Sequence, residues 1–420
     1  MQALLLAAGR SRRFQPLGDK NFFSVGGKFL IEHSVANLKK AGVKKIIFVA
    51  NAGNEKSIRG LFPKDEVLVQ KNLDEGMAGA VLAAKKFLAA PTLIASTNDF
   101  VEAAAIKKVL AAKSCDGSIL AQRVEKYFPG GYLKIGKGKI FNIVEKPHPD
   151  KTPSRLINLV FHFFRDPKTL LAELTKTSNK NDDGYELALA SLFKKQKFVA
   201  VENPGKWLPL KFPWHALDLV ADFLSTQKSK ISAKAKIAKT AVVENSLVEA
   251  GARILDFAIV RNSYIAEDAL VGSHSLVRDS QILANAVVGS HSEVARSSLG
   301  ENSWLHRNYI GDSVITENVS FGSGAVCANL RLDEEEVCVE IEDRKTGTGR
   351  NKFGCAIGAD SRIGVNSSIM PGVLVGRGCF VGSGVVVSKN LKTGSFLDTS
   401  CKNDISENKK SAPERGKALN

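Results

Sequence analysis

The chain has 420 residues, 44% of them hydrophobic and 24% charged, and its formal net charge is +16. This length favours two domains, and no apolar run is long enough to cross a bilayer. The apolar start lacks a basic leader, so we expect no signal peptide, and the six scattered cysteines form no Cys-x-x-Cys pair, which favours reduced thiols in a cytoplasm. The basic residues are spread along the chain, so attraction of phosphorylated small molecules or simple solubility explains the charge, and we expect no nucleic-acid partner.

Strand-like and helix-like segments alternate over residues 1–225. The strand-like segments are 3–8, 45–50 and 92–96, and the helix-like segments are 28–41 and 77–89. This alternation predicts a Rossmann-like α/β domain with a mostly parallel sheet and helices on both faces. The polar residues 226–232 that follow predict a short linker.

A six-residue period dominates the second half of the chain. It is cleanest at Ile357, Ile363, Ile369, Val375, Val381 and Val387, and it begins less regularly at Ile231. This period is typical of a parallel β-helix, in which three hexads form one coil. We therefore predict a β-helix domain over residues 233–391, a loop over about 332–352 where the period lapses, and a polar tail over 392–420.

A glycine-containing turn follows the first predicted strand. It reads Gly9-Arg10-Ser11-Arg12-Arg13-Phe14, with Lys20 a little further on. Backbone N–H groups of such a turn can approach phosphates, and the cations Arg13 and Lys20 can neutralise a nucleotidyl group during its transfer. The turn is neither a Walker A motif nor Gly-x-Gly-x-x-Gly, so an ATPase or a dinucleotide-binding protein is disfavoured. Taken alone, the turn is as typical of a structural element as of a binding site.

This opening resembles the sugar-phosphate nucleotidyltransferase family, whose signature is Leu-Ala-Ala-Gly-x-Gly-x-Arg followed by Pro-Lys. Further matches follow in the family's order: Gly27-Lys28-Phe29-Leu30-Ile31-Glu32-His33, Gln70 with Gly76, Asn98-Asp99, Gly131, Glu145-Lys146-Pro147, Asn158 and Tyr185-Glu186-Leu187. Such an ordered series is more specific than any single motif.

The resemblance implies a role for each matching residue. The turn residues Gly9 and Ser11 would hold the nucleotide, and Arg13 and Lys20 would be the catalytic cations. The remaining nucleotide-site and sugar-site residues would be Gln70 and Gly76 at the nucleobase, Asp99 as the Mg²⁺ ligand, and Gly131, Glu145, Lys146, Asn158 and Glu186 at the sugar phosphate.

The chain departs from the family pattern at several of these places. Ser11 replaces the second glycine of the signature, and Asp19 precedes Lys20 where proline is usual. Pro209 lies where relatives often carry an aspartate, in Trp-x-Asp-x-Gly-x-Pro-Trp, that is a second Mg²⁺ ligand. Either Asp99 and the nucleotide phosphates suffice to hold the metal, or this half of the protein is slow, or it is a retained but inactive fold.

A second group of motif residues lies within the predicted coils. His306-Arg307-Asn308-Tyr309-Ile310-Gly311-Asp312 is followed by Ala328-Asn329-Leu330-Arg331 and by Gly349-Arg350-Asn351-Lys352. A lone histidine on a coil is more often a surface or packing residue. This segment, however, resembles the acetyltransferase domain of the bifunctional glucosamine-1-phosphate N-acetyltransferase/N-acetylglucosamine-1-phosphate uridylyltransferase family, and most closely its archaeal-type version.

This second resemblance implies acetyl transfer from acetyl-CoA to an amino sugar. A protonated amine cannot attack a thioester, and histidine, whose ordinary pKa is about 6.5, suits the role of base. His306 would take the proton, Tyr309 and Asn329 would orient the amino sugar, and Arg296 and Lys352 would complete the substrate site. The acidic run 333–336 lies where basic residues would suit coenzyme A better.

We therefore predict a cytoplasmic two-domain enzyme, with a left-handed β-helix implied by the hexads together with the resemblance. It would acetylate glucosamine-1-phosphate and then couple the product to UTP with Mg²⁺, and the resemblance implies a homotrimer. The alternatives are a nucleotidyltransferase for glucose- or mannose-1-phosphate whose β-helix serves assembly, and a non-catalytic regulatory subunit with the same two domains.

Overall fold

The computed structural model describes residues 1–88, 91–177 and 183–399. Its N-terminal domain is a mixed β-sheet flanked by helices. Its strands are β1 (Gln2–Leu6), β2 (Ser24–Val25), β3 (Lys28–Phe29), β4 (Lys45–Ala50), β5 (Glu66–Val69), β6 (Thr92–Ser96), β7 (Asp99–Val101), β8 (Gly117–Arg123), β9 (Gly131–Gly136), β10 (Lys139–Glu145), β11 (Leu156–Phe164), β12 (Phe198–Glu202) and β13 (Trp207–Pro209). Its helices are α1 (Leu30–Lys40), α2 (Glu55–Leu61), α3 (Gly76–Ala83), α4 (Ala103–Ala111), α5 (Pro167–Leu174), α6 (Gly184–Lys195) and α7 (His215–Thr226).

The sheet brings the first predicted motif beside the strand that leads to Asp99. β1 pairs in parallel with β4 on one side and with β6 on the other, and antiparallel β11 continues the sheet beyond β6. Side chains of β1 alternate between two apolar cores, so that Leu4 packs on one face of the sheet and Leu5 on the other. The carboxyl ends of β1 and β6 therefore lie side by side, which is where parallel α/β sheets bind ligands. The predicted Rossmann-like domain is confirmed.

The C-terminal domain is a left-handed parallel β-helix of hexapeptide repeats, as predicted. Its first face consists of Lys230–Ile231, Leu247–Val248, Tyr264–Ile265, Gln281–Ile282, Ser298–Leu299, Val314–Ile315, Cys355–Ile357 and Val373–Val375. Its second face consists of Lys236–Ile237, Arg253–Ile254, Leu270–Val271, Val287–Val288, Ser320–Phe321, Arg362–Ile363, Phe380–Val381 and Phe396–Leu397. Its third face consists of Val242–Glu244, Ile259–Arg261, Leu276–Arg278, Glu293–Ala295, Tyr309–Gly311, Val326–Cys327, Ser368–Ile369 and Val386–Val387.

The hexad aliphatics fill the inside of this β-helix. All six residues of the clean repeat, from Ile357 to Val387, belong to one buried core. Serine hydroxyls stack along one corner of the coils, where the Ser263 N–H donates to Ser246 Oγ and the Ser263 hydroxyl donates to the Arg261 carbonyl oxygen. This pattern satisfies buried backbone groups at each turn, so the corner residues are held in a repeating geometry.

Both predicted boundaries of the β-helix need correction. The strand Lys230–Ile231 already pairs with Leu247–Val248, so the first coil begins inside the predicted linker 226–232. At the other end, Phe396–Leu397 pairs with Phe380–Val381, so the coils continue beyond residue 391 into the predicted tail. The hexad period reaches Ile231, but the polar residues around it favour a linker, and the polar residues around Phe396–Leu397 favour a tail. The rest of the tail, from residue 400, lies outside the described residues, as does residue 89 at the end of the predicted helix 77–89.

The predicted loop 332–352 contains a β-hairpin that packs back onto the N-terminal domain. Its strands are Cys338–Ile341 and Arg344–Gly347, and we call this segment the insert hairpin. Val337, Val339 and Ile341 are buried in an apolar cluster that also contains Trp214 of the N-terminal domain. The expectation of a loop that simply projects from the coils was therefore wrong.

The two domains share further contacts beside the insert hairpin. The Gln281 side chain donates to the Ser24 carbonyl oxygen over 2.8 Å and accepts from the Gly26 N–H over 3.1 Å. Arg350 forms an ion pair with Asp218 of α7. In the described part of the chain, no helix has the length and apolar character needed to span a membrane.

Candidate active site

A cavity of about 590 Å³ opens at the carboxyl ends of β1 and β6. Nine residues predicted for nucleotidyl transfer line it: Gly9, Ser11, Arg13, Lys20, Gln70, Gly76, Glu145, Lys146 and Glu186. Lys211 also lines the cavity, and so does Glu342 at the turn of the insert hairpin. The C-terminal domain thus contributes part of the wall of a site that lies in the N-terminal domain.

The turn after β1 is held by a network around Asp19. Ser11 has φ 50° and ψ 30°, a left-handed conformation that is usual for glycine. The Ser11 hydroxyl donates to Asp19 Oδ1 over 3.4 Å and accepts from the Lys20 N–H over 3.3 Å, while Asn54 donates to Asp19 Oδ2 over 2.8 Å. Both departures from the family signature therefore support the turn. A Cβ atom added at Gly9 would meet nothing within 4 Å, so this glycine keeps the wall open to a ligand.

Gln70 orders the loop at the opposite wall. Its side-chain nitrogen donates to the carbonyl oxygens of Asn72 and Gly76, each over 2.9 Å. Arg10 and Asp74 approach to 2.7 Å, and this ion pair joins the turn after β1 to the loop before α3. The predicted base-binding residues thus line the same cavity as the cationic turn after β1.

The predicted sugar residues meet at one corner. A Cβ atom added at Gly131 would lie 3.0 Å from Glu145 Oε2 and 3.2 Å from Asn158 Nδ2, so a side chain there would crowd both polar groups. His162, which is fully buried, lies 2.5 Å from Asn158 Oδ1 through Nε2 and 2.8 Å from the Tyr185 hydroxyl through Nδ1. Burial lowers the pKa of His162 to about 3, so the ring is neutral and carries one proton. Donation from Nε2 to Asn158 then turns the Asn158 amide nitrogen toward Gly131.

Two half-buried lysines add positive charge to the cavity. Burial lowers the pKa of Lys20 to about 8, although Asp99 and Asp19 oppose this shift. Burial also lowers the pKa of Lys211 to about 8. The Lys211 ammonium donates to the Pro129 carbonyl oxygen over 2.8 Å and lies 4.0 Å from the centre of the Phe128 ring. Both lysines are mainly protonated at neutral pH and suit phosphate groups.

Asp99, the predicted Mg²⁺ ligand, offers one carboxylate next to the cavity lining. Asp99 is buried, does not line the cavity, and accepts a hydrogen bond from Trp207 Nε1 over 2.8 Å. Its partner across the pairing of β7 with β13 is Pro209, which offers no ligand. Across residues 1–88, 91–177 and 183–399, no group of three His, Cys, Asp or Glu side chains could hold a metal ion. In nucleotide sites Mg²⁺ is bound by one or two carboxylates together with phosphates, so Asp99 would supply one carboxylate and the nucleotide phosphates the further ligands.

Three of the residues predicted for acetyl transfer gather around Asp312. Arg296 makes two hydrogen bonds to the Asp312 carboxylate, of 2.6 and 2.7 Å, and Asn329 Nδ2 donates to it over 2.5 Å. A Cβ atom added at Gly311 would lie 2.7 Å from the Tyr309 hydroxyl and 2.6 Å from Asn329 Nδ2, which places these two side chains together. The Asp312 carboxylate raises the pKa of Arg296, whose charge is therefore already compensated.

Arg296 borders a second cavity, and His306 lies apart from it. This cavity has a volume of about 460 Å³ and lies between α7 and the coil corners, with Asp312 and Arg350 also in its wall. His306 is exposed on the turn before the strand Tyr309–Gly311. Its backbone N–H donates to Asn308 Oδ1 over 2.7 Å. Lys352 pairs with Leu330 through an isolated antiparallel bridge, one residue beyond Asn329.

Sequence reasoning missed His162, Lys211 and Glu342. His162 lies four residues after Asn158 in β11, but nothing in the sequence shows that its ring holds Asn158. Lys211 lies in the segment that corresponds to Trp-x-Asp-x-Gly-x-Pro-Trp, where it replaces the family's glycine, and this replacement is visible in the sequence. Glu342 follows the alternating apolar residues Val337, Val339 and Ile341, which are a signal for a strand.

Comparisons with known proteins cover both domains. Residues 3–240 match the MobA-like NTP transferase domain, and residues 354–389 match the bacterial transferase hexapeptide repeats. A bifunctional sugar-1-phosphate nucleotidylyltransferase/acetyltransferase from Sulfurisphaera tokodaii is 29% identical over 94% of this chain and 100% of its own length. A bifunctional protein GlmU from Methanococcus maripaludis is 34% identical over 94% of this chain and 97% of its own.

The fold, the cavity and these matches together define a nucleotidyltransferase domain joined to a hexapeptide-repeat transferase domain. A solved UDP-glucose pyrophosphorylase complexed with UDP-glucose is 19% identical over 54% of this chain and 99% of its own, with a TM-score of 0.47. The chain belongs to the family of archaeal-type bifunctional GlmU proteins, which confirms the family predicted from its motifs.

Proposed function

We propose that this protein makes a nucleotide sugar in two steps. It acetylates the amino group of glucosamine-1-phosphate with acetyl-CoA and then couples the product to UTP, with release of pyrophosphate. The observation that carries the proposal is one cavity lined by the cationic turn after β1 and by Glu145, whose carboxylate lies beside Gly131 and Asn158, both outside the lining residues. A relative that shares nearly the whole chain is named for sugar-1-phosphate nucleotidylyl transfer and acetyl transfer, which supports this pair of reaction types.

In the nucleotidyl step, an oxygen of the sugar phosphate attacks the α-phosphorus of UTP. A new P–O bond forms, the bond from the α-phosphorus to the bridging oxygen breaks, and pyrophosphate leaves with the electron pair. Arg13 and Lys20 neutralise the charge on the phosphates, and Asn158, oriented by His162, holds the sugar. The main contributions are positioning and charge neutralisation. Mg²⁺, predicted at Asp99, would be held by that carboxylate together with nucleotide phosphates and would help to neutralise their charge.

In the acetyl step, His306 removes a proton from the ammonium group of the amino sugar. The free amine attacks the thioester carbonyl carbon and the C–S bond breaks. The attacking nitrogen then loses a second proton, which goes to the departing thiolate, and the proton held by His306 is released to solvent. Tyr309 and Asn329 lie together beyond the same turn and would hold the sugar. A homotrimer in which neighbouring β-helices complete this site is part of the proposal. So is a cytoplasmic location, which the free cysteines of the described residues favour.

Two product assays on the full chain test the proposal. Pyrophosphate release is measured with UTP and N-acetylglucosamine-1-phosphate, and acetyl transfer is measured as conversion of glucosamine-1-phosphate with acetyl-CoA. We expect Lys20→Met to abolish only the first reaction and His306→Ala only the second. His274→Ala is the matched control, because His274 stacks on His291 with ring centres 5.1 Å apart and is expected to be structural. Absence of pyrophosphate release with every nucleotide and sugar phosphate would refute the first step.

One observation favours the alternative of nucleotidyl transfer alone. Arg296 and Asn329 both donate hydrogen bonds to Asp312, so fewer of their N–H donors are available to a substrate. On that alternative, His306→Ala changes neither activity, glucosamine-1-phosphate is not acetylated, and glucose- or mannose-1-phosphate supports pyrophosphate release.

A further inference from the structure

Arg13, one of the two predicted catalytic cations of the nucleotidyl site, has an aromatic ring as its partner. Its guanidinium carbon lies 5.8 Å from the centre of the Phe212 ring, and within the described ranges Arg13 takes part in no ion pair with a carboxylate. We infer that Phe212 is a positioning residue for nucleotidyl transfer, whose ring holds the Arg13 guanidinium at the cavity and is itself held by the C-terminal half of the chain. This inference rests on the nucleotidyl transfer proposed above.

A ring suits this cation because a carboxylate would offset its charge. Arg13 lies close to two other cations, since its charge adds to burial, the larger effect, in lowering the pKa of Lys20 and of Lys211. An acidic partner would compensate Arg13 as Asp312 compensates Arg296. The face of an aromatic ring attracts a guanidinium without carrying a net charge. Arg13 thus keeps its charge for phosphate oxygens, while the ring restricts where the guanidinium can lie.

A row of aromatic contacts fixes the Phe212 ring and ends in the C-terminal half of the chain. The Phe212 ring stacks on Trp214, with centres 4.5 Å apart and planes 9° apart. Trp214 meets Phe353 edge to face, with centres 6.1 Å apart. Phe14, which follows Arg13 in the chain, is buried in the same apolar cluster as Trp214 and Phe353. The backbone and the side chain of Arg13 therefore both depend on this cluster.

Phe353 is in turn anchored to the coils of the β-helix. Its side chain is 0% exposed, and its backbone N–H donates to the Asn329 carbonyl oxygen over 3.0 Å. The next N–H, of Gly354, donates to the Asp312 carbonyl oxygen over 2.9 Å. Continuous contacts therefore run from the coils to the cationic turn after β1. The nucleotidyl site is complete only when the C-terminal half is folded against it.

Pyrophosphate release by the full-length protein from UTP and N-acetylglucosamine-1-phosphate tests the inference. Phe212→Leu keeps an apolar side chain but removes the ring, and we expect it to lower kcat/KM for UTP by about two- to fivefold, the usual effect of a cation–π contact at an exposed site. Phe212→Tyr retains a ring and should retain kcat/KM within about 1.5-fold. Phe62→Leu is the matched control, because Phe62 is also half-buried and stacks on Phe48 with centres 4.7 Å apart, but does not line the cavity.

A second background separates a role through Arg13 from a role in folding. Arg13→Met removes the guanidinium, so the Phe212 ring has no cation left to hold. In that background Phe212→Leu should change kcat/KM by less than about 1.5-fold, because residues that act as one unit are not additive. Where turnover is too slow to follow, calorimetric titration of UTP in Mg²⁺ gives the same comparison. Circular dichroism checks that each variant is folded.

The contact with the C-terminal half is tested in the same way. Phe353→Leu keeps most of the buried apolar volume and removes the ring that meets Trp214. We expect it to lower kcat/KM for UTP by about twofold when Arg13 is present and to have no such effect when it is combined with Arg13→Met.

The outcomes separate this inference from the proposed function. If the unaltered protein releases pyrophosphate and Phe212→Leu does so with the same kcat/KM, the role of Phe212 is overturned and nucleotidyl transfer stands. An equal loss in Phe62→Leu, or an equal loss from Phe212→Leu with and without Arg13, overturns it as well, since the ring then acts on the fold alone. An unchanged rate in Phe353→Leu overturns the contribution of the C-terminal half. Absence of pyrophosphate release by the unaltered protein overturns the inference and the nucleotidyl step together.

Discussion

Replacement of His162 by phenylalanine separates the ring's packing from its hydrogen bonds. His162 is 0% exposed, and its ring stacks on Tyr185 with centres 5.7 Å apart, so phenylalanine keeps much of the shape. The variant leaves the Tyr185 hydroxyl without a partner in a site that water cannot reach, at a cost of about 1–3 kcal/mol. Loss of the bond to half-buried Asn158 adds about 1 kcal/mol. We expect the free energy of unfolding to fall by about 2–4 kcal/mol.

The same variant should change how stability depends on pH. In the folded protein the pKa of His162 is about 3, below the ordinary value near 6.5, so only the unfolded chain takes up a proton as the pH falls below about 6.5. Acid therefore destabilises the fold, and between pH 6 and pH 5 this one histidine accounts for about 1 kcal/mol. His162→Phe should lose about that much less over this interval.

Urea denaturation at pH 7, 6 and 5 measures both effects, with His148→Phe as the matched control. His148 is exposed and pairs only with Asp150, at 3.3 Å, so its replacement should leave stability within about 0.5 kcal/mol. The variant should also raise KM for the sugar phosphate, since Asn158 is no longer oriented. An unchanged pH slope, or a loss below about 0.5 kcal/mol at pH 7, would refute the account of a neutral ring with two partners.

Three further predictions concern the other contacts. The Phe353 side chain is fully buried, and its ring centre lies 6.1 Å from that of Trp214. Phe353→Ala should lower the free energy of unfolding, measured by urea denaturation, by about 3–5 kcal/mol. A loss below about 1 kcal/mol would contradict the shared core. Asp312→Ala leaves half-buried Arg296 without its ion-pair partner and should lower the free energy of unfolding by about 2–4 kcal/mol. Asp312→Asn should lose less. Equal losses for the two variants would argue against a charge effect. Because the pKa of Lys20 and of Lys211 is about 8, both cations are present below that pH and lost above it, so the rate of pyrophosphate release should fall as the pH rises through about 8. Arginine at both positions should move this decline to higher pH, and an unmoved profile would show that other groups cause it.

Elements with a strong period were predictable from the sequence alone. Each hexad aliphatic from Ile357 to Val387 lies inside the β-helix, because a coil allows only small changes in the spacing of its inward residues. The first strand and the turn after it were equally clear, since a buried run that ends in glycine has few other interpretations. Short strands with polar neighbours, such as Phe396–Leu397, escaped because two residues cannot establish a period.

The site residues divide along the same physical line. Residues that belong to the family motifs were predictable as one site. The structure places four of them around one cavity: Gly9, Ser11, Gln70 and Glu145. The pairing of His162 with Asn158 depends on how strands and helices stack, and no local pattern encodes that. The capture of Arg296 by Asp312 is likewise invisible in sequence, because the two residues are 16 positions apart and meet only when coils stack.

The insert hairpin and Trp214 affect how this chain can change in evolution. Val337, Val339 and Phe353 from one half of the chain and Trp214 and Leu217 from the other belong to one apolar cluster. A fragment that ends at Thr226 would expose its share of that cluster, and so would a fragment that begins at Lys230. Exchange of either half for that of a distant relative would have to match side chains on both sides at once. The two halves are therefore expected to be inherited together. A change that improves one site will often alter the residues that line the other site.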